Sequence, residues 1–186
     1  MSEPVEKAAT YEDLLRVPPN RVAEIVDGRL HTHPRPGPRH AGASSRLGVH
    51  LGGPFDLGSG GPGGWLILDE PELHLGPHVL VPDLAGWRRE RMPVLPDTAW
   101  FETAPDWVCE ILSPSTARLD RAEKMPIYLK AGVSHAWLVD PEIRVLEAYE
   151  NQHAHWVQLG VFKNDDPVSV TPFHAIEFAL DSLWVG

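Results

Sequence analysis

The sequence predicts a single mixed α/β domain with more strand than helix, and three observations carry that prediction. Short apolar runs recur at even spacing between residues 65 and 87 and again beyond residue 136, the pattern of strands separated by turns. Glycine and proline, 16 and 19 residues, make up 35 of 186, nearly a fifth of the chain against about 12% in an average protein, which favours short elements over long helices. A continuous apolar run at 107–112 reads as a buried strand, and one helical pattern follows it at 116–131. One domain is expected, because a chain of this length suits a single hydrophobic core.

Taken in order, Thr10 heads a short helix as its N-cap, with Glu12 and Asp13 in the first turn and Pro18-Pro19 as the stop. Residues 22–26 and 29–33 flank Asp27-Gly28, a pair suited to a type I′ turn, so an N-terminal β-hairpin is expected. Residues 38–51 carry a weaker helical pattern, with Leu47 and Leu51 one turn apart and Gly42 and Gly48 working against it. Residues 52–64 hold seven Gly and two Pro and are expected to be loop. Strands are expected at 65–68, 72–75 and 79–87, then a loop through 88–93. The strand at 107–112 follows Pro105 and is closed by Ser113-Pro114-Ser115-Thr116. The helix at 116–131 ends at Gly132, and Pro126 inside it should kink or break it. Strands at 136–139 and 144–149 flank Asp140-Pro141, further strand is expected at 156–162 and 168–170, and a terminal turn near 183–184.

Sixteen Lys and Arg stand against 26 Asp and Glu, for a formal net charge of −10. That balance argues against gripping nucleic acid by bulk charge, which needs clustered cations. It leaves room for local basic patches and for a metal-binding carboxylate cluster. A single cysteine, Cys109, excludes an internal disulfide framework and a cysteine-based zinc finger. Residues 1–6 lack the basic and apolar regions of a signal peptide, and no apolar run approaches the ~18 residues that span a bilayer. A cytoplasmic protein with no membrane partner is expected. The pairs His31/His33 and His153/His155 each share a strand face but find no third ligand at suitable spacing, so they read as surface histidines.

Three carboxylates stand apart because each falls within an apolar strand pattern: Glu24 in Val22-Ala23-Glu24-Ile25-Val26, Asp83 after Val79-Leu80-Val81-Pro82, and Glu110 in Trp107-Val108-Cys109-Glu110-Ile111-Leu112. A charge buried in a strand costs several kcal/mol unless a cation compensates it. The compensating group is either an Arg or Lys in a structural ion pair or a hard divalent ion such as Mg²⁺, which prefers oxygen ligands. On the residues alone the two readings stand level.

Pro82-Asp83 followed by Glu110 on a second strand resembles the PD-(D/E)xK nuclease superfamily. More closely, the chain resembles the Uma-two family, described as "putative restriction endonucleases" and long carried as a domain of unknown function. The likeness runs from Tyr11-Glu12-Asp13-Leu14 through Ala23-Glu24-Ile25-Val26-Asp27-Gly28-Arg29-Leu30 and the 34–40 loop-to-helix segment. Its most specific part is Val81-Pro82-Asp83-Leu84, Glu110-Ile111-Leu112-Ser113-Pro114-Ser115-Thr116, Asp120 and Lys124, then Tyr128, Ala131-Gly132-Val133 and Trp137-Leu138-Val139-Asp140-Pro141. The resemblance implies a restriction-endonuclease-like fold, a central mixed β-sheet flanked by helices with the acids on adjacent strands at one end. It also implies Mg²⁺- or Mn²⁺-dependent hydrolysis of DNA phosphodiester bonds, with Asp83 and Glu110 as metal ligands and Glu24 completing or supporting the site.

The chain departs from the superfamily where Glu-x-Lys puts both side chains on one strand face, because the residue two after Glu110 is Leu112. Lys124, on the following helix, is the replacement that the resemblance implies, orienting the attacking water, with Asp120 one turn earlier to position it. Lys130 is the fallback. His40, at the start of the 38–51 helix, is a candidate phosphate contact or helix cap, and Arg88, Arg89 and Arg91 are candidate phosphate contacts or solvated loop residues. Cys109 faces away from Glu110 and is not a candidate nucleophile. The seven Trp are expected in core or interface, and a homodimer is the expected assembly. The alternative function is a catalytically inactive nuclease-fold module that binds nucleic acid or protein; a two-carboxylate sugar hydrolase finds no support in the order of motifs.

Overall fold

A computed structural model describes residues 8–185, so the N-terminal stretch examined for a signal peptide lies outside the described residues. Helix α1 (Tyr11–Leu15) begins as the sequence predicts, with Thr10 and Asp13 forming a reciprocal capping box. Strands β1 (Arg21–Val26) and β2 (Arg29–Pro34) then form the expected hairpin around Asp27-Gly28, both with positive φ as a type I′ turn requires. Helix α2 (Pro38–Leu51) buries Ala43, Leu47 and Leu51, one stripe of a 3.6-residue repeat.

Residues 52–64 depart from the expected loop. The chain continues from α2 into a π-helical turn, Gly52–Asp56, because Phe55 drops into the core against Phe173, 4.7 Å between ring centroids. The expected strand at 79–87 is also two strands in two sheets. After β3 (Trp65–Asp69) and β4 (Leu73–Leu75), β5 (His78–Leu80) ends and β6 (Leu84–Arg88) begins on the far side of Val81-Pro82-Asp83. Pro82 has no N–H to give a ladder, and the strand breaks there.

Strand β7 (Trp107–Ile111) leads into a crossover made of α3 (Ala117–Leu119), a π-helical turn at Asp120–Lys124, and α4 (Met125–Lys130). The widened turn is the form the expected disruption takes: Pro126 lacks an N–H and crowds the carbonyl four residues earlier, and Met125 N–H reaches back five residues to Asp120. Strand β8 (His135–Asp140) returns parallel to β7. Strands β9 (Val145–Gln152) and β10 (His155–Lys163) form a hairpin longer than expected, and β11 (Pro167–Val168) pairs with β12 (Phe178–Ala179).

The strands make a six-stranded mixed sheet in the order β10-β9-β8-β7-β6-β3, a four-stranded antiparallel sheet β2-β1-β5-β4, and the small β11-β12 pair. Side chains alternate across the large sheet. Leu84, Trp107, Cys109 and Ile111 pack toward α2, whereas Ala85, Val108 and Leu112 pack with Met125, Ile127 and Tyr128 of the crossover. The sheet is therefore flanked by helices on both faces. The break at Val81-Pro82-Asp83 carries the chain from the small sheet into the large one, and it is there that the acidic side chains gather. No described helix is long and apolar enough to cross a membrane.

Candidate functional site

Five elements deliver the site. On β1, Glu24 is 1% exposed, and its Oε1 accepts the Val81 backbone N–H at 2.8 Å, which ties the hairpin to the strand break. Strands β6 and β7 pair Leu84 with Cys109; one step further along the same register Asp83 stands opposite Glu110, and opposed residues of an antiparallel pair project on one side. Asp83 Oδ2 accepts the Ile111 N–H at 2.7 Å, and Asp83 Oδ1 lies 3.2 Å from His40 Nε2 on the first turn of α2. Glu110, 2% exposed, receives the Tyr128 hydroxyl on Oε1 at 2.5 Å.

Lys124 binds these pieces together. Its ammonium, on a side chain 2% exposed, stands 2.8 Å from Glu24 Oε1, 2.8 Å from Glu110 Oε1 and 3.4 Å from Asp120 Oδ1. An ammonium has three N–H donors. The first two are close ion pairs, while the third is longer and the weaker one. The π-helical turn brings both Asp120 and Lys124 inward. Leu112, by contrast, lies in the core with Tyr128, so the buried ammonium beside Glu110 comes from the helix.

These groups open on a cavity of about 130 Å³ lined by His33, Arg35, His40, Asp83, Glu110, Asp120 and Lys124, together with Ser113, Ser115 and Thr116. Glu24 stands behind it, reaching it through Lys124. Three carboxylates, Glu24, Glu110 and Asp120, share one ammonium, while Asp83 is held by the Ile111 N–H and His40. Burial pushes the Glu110 carboxyl well up despite Lys124 pulling it down. For Lys124, burial disfavours the charged form, but Glu110 and Glu24 overcome it and hold the amine well above its ordinary value. Burial also lowers His33. At His40 burial opposes protonation, yet the bond to Asp83 and its charge win and raise the imidazole. The His40–Asp83 pair therefore contributes stability that is complete below about pH 6.5 and is lost as pH rises through the elevated folded value. An NMR titration of the metal-free protein should put the His40 midpoint above that of free histidine. In Asp83→Asn it should fall, because the bond and charge that chiefly oppose burial are gone and only Asp120 and the Ile111 backbone still raise it; an unchanged midpoint would contradict the pairing.

Arg88, Arg89 and Arg91 are not brought to this cavity. They sit at the far end of β6, a five-residue strand spanning roughly 16 Å, and each has another partner: Arg88 lies 4.7 Å over the Trp65 ring, Arg89 pairs with Asp56, and Arg91 holds Asp106 at 2.7 Å. Nearer the site, Arg35 lies 3.5 Å from Glu70 and Arg39 2.8 Å from Glu142. Lys130, on the last turn of α4, faces a different cavity.

Residues 8–182 match the family described as "Uma2: Putative restriction endonuclease". The chain belongs to the Uma2 family. A solved structure from Anabaena variabilis, described as a "putative nuclease belonging to DUF820", is similar to it with a TM-score of 0.75 over 94% of this chain and 97% of that one, at 24% identity. That likeness concerns the fold, which is restriction-endonuclease-like as the motifs implied. No curated protein matches the chain.

For a divalent cation, the donor set of this Uma2 site is suitable in chemistry and incomplete in number. Among the described residues no three His, Cys, Asp or Glu side chains converge to hold a metal unaided. Asp83 and Glu110 do offer oxygen donors on one cavity, the carboxylates exceed the local cations, and Glu24 Oε2 is buried without a hydrogen-bond partner. Mg²⁺ characteristically takes one or two carboxylates and completes its shell with water and substrate phosphate. Two acids in a surplus-negative cavity fit that habit. Neither a role for Tyr128 nor the cavity position of His33 is foreseen from the motifs. Tyr128 falls one helical turn after Lys124, a usable signal; His33 reaches the cavity only because the hairpin folds over the strand break.

Proposed function

We propose that this Uma2 chain is a divalent-metal-dependent nuclease that hydrolyses DNA phosphodiester bonds. The observation that carries the reading is the convergence of Asp83 and Glu110 on one cavity with a buried ammonium, Lys124, ion-paired to Glu110. Asp83 and Glu110 would hold Mg²⁺ or Mn²⁺. Such an ion supplies Lewis acidity toward the phosphate and a lowered pKa for the attacking water. The protein's own groups do the rest. Backbone Ile111 N–H and His40 fix the Asp83 carboxylate from two sides, and Glu24, anchored by Val81, holds Lys124 against Glu110. The long contact to Asp120 leaves one Lys124 N–H with latitude to turn toward cavity water and orient it. His40, raised toward its cationic form, stands at the rim as a phosphate contact.

A binding module without cleavage is the second reading. It draws support from the absence, among the described residues, of a preformed three-donor metal cluster and from the acids that already pair Arg35 and Arg39. The two readings part in one assay. Supercoiled plasmid should be nicked in Mg²⁺ or Mn²⁺ and left intact in EDTA, with activity restored on returning the metal. Protein that binds DNA but never cuts it across a panel of substrates and metals would leave only the binding module.

A further inference from the structure

We infer that Tyr128 is a positioning residue for the Glu110 metal ligand, fixing the carboxylate so that Oε2 is the oxygen turned to the incoming cation. The inference rests on the proposed role of Glu110. Tyr128 is fully buried in the crossover core, and its hydroxyl donates to Glu110 Oε1 at 2.5 Å. Lys124 Nζ stands 2.8 Å from that same atom as an ion pair. The phenol's hydrogen bond and the ammonium's charge both hold Oε1 from the helix side, and among the described residues no hydrogen-bond donor competes for Oε2 on a residue that lines the cavity. Lys124 alone does not fix the carboxylate, since its ammonium is shared with Glu24 and Asp120. The tyrosine ring is packed rigidly among apolar neighbours.

The arrangement follows from the chain. Tyr128 lies one helical turn beyond Lys124, and the π-helical turn ending at Lys124 sets both side chains under β7. A bond from outside the metal's own ligands that orients a ligand typically changes metal affinity 10–100-fold when removed. The phenol here would act on Glu110, not on substrate.

The test uses the full chain, Mn²⁺ alone as the probe, and calorimetric or EPR titration in the absence of DNA. Tyr128→Phe keeps the ring and the packing, and a thermal midpoint near that of the parent checks the fold. Mn²⁺ affinity should drop about 10–100-fold in Tyr128→Phe, and the same substitution in a Glu110→Gln background should cause no further loss. With DNA and saturating metal, kcat should fall while KM for DNA stays constant. Unchanged Mn²⁺ affinity, or an equal loss with and without Glu110, would overturn the inference. Parent protein whose Mn²⁺ affinity does not depend on Glu110 would instead overturn the proposed metal site, a separate failure that needs no Tyr128 variant to detect.

Discussion

Replacing Asp83 by Asn, or Glu110 by Gln, is expected to cut metal-dependent nicking of plasmid DNA by about a thousand-fold or more, since losing one of two charged cation ligands forfeits several kcal/mol of transition-state charge stabilisation at about 1.36 kcal/mol per decade. The isosteric amides matter to the design. In Asp83→Asn the side-chain oxygen can still accept the Ile111 N–H, so the strand break keeps its clamp and stability should change by about 1 kcal/mol. In Glu110→Gln the carbonyl oxygen can still receive Tyr128 and Lys124. Circular dichroism and thermal melts would then show folded protein, and Mn²⁺ titration would show weakened binding in both variants. Retained cleavage in either variant would remove that residue from the proposed site.

The largest effect on stability is expected at Lys124. Lys124→Met leaves Glu24 and Glu110 buried without their shared cation, and breaking a buried pair from one side costs about 3–5 kcal/mol. Removing the charges from all three should recover most of it, because an uncharged buried cluster lacks the desolvation cost; the triple variant Lys124→Met, Glu24→Gln, Glu110→Gln tests this in urea. The pH dependence has a definite sign. In the parent, Lys124 is held above its ordinary value, so its contribution is complete below about pH 10.4 and is lost as pH rises through the elevated folded value. In Lys124→Met the Glu110 carboxyl loses the cation that pulls it down, so its folded value rises further, and its contribution to stability should be complete below about pH 4.3 and be lost as pH rises through that folded value. A Lys124→Met protein as stable as the parent at pH 7 would mean the ammonium does not compensate the two acids.

Much of this site was legible before folding, for a specific reason. A carboxylate inside an apolar strand pattern is an electrostatic anomaly that needs a cation wherever it lands, and Glu24 and Glu110 both carried that mark. Asp83 was marked for a partly different cause: it follows Pro82, and the structure puts it in the gap between two strands, half-open to the cavity. Lys124 was reached through the resemblance rather than its spacing, since an Asp–Lys pair one turn apart on a helix is ordinarily a solvent-exposed pair worth little.

Local backbone chemistry marked most of the strands, the hairpin at Asp27-Gly28 and the disturbance at Pro126, through a turn pair that tolerates positive φ and a proline without an N–H group, whereas the unbroken strand expected at 79–87 missed the break at Pro82. Which charges meet was settled by the packing of distant elements. It separated Arg88, Arg89 and Arg91 from the acids, because one strand length carries them to the opposite end of the sheet. It also put Lys124 under Glu110 and Glu24, because the crossover returns over that sheet face with a widened turn that points the ammonium inward. Charge pairing in a folded chain depends on distances between residues far apart in sequence, and those distances are set by strand register and helix packing, which local pattern does not encode.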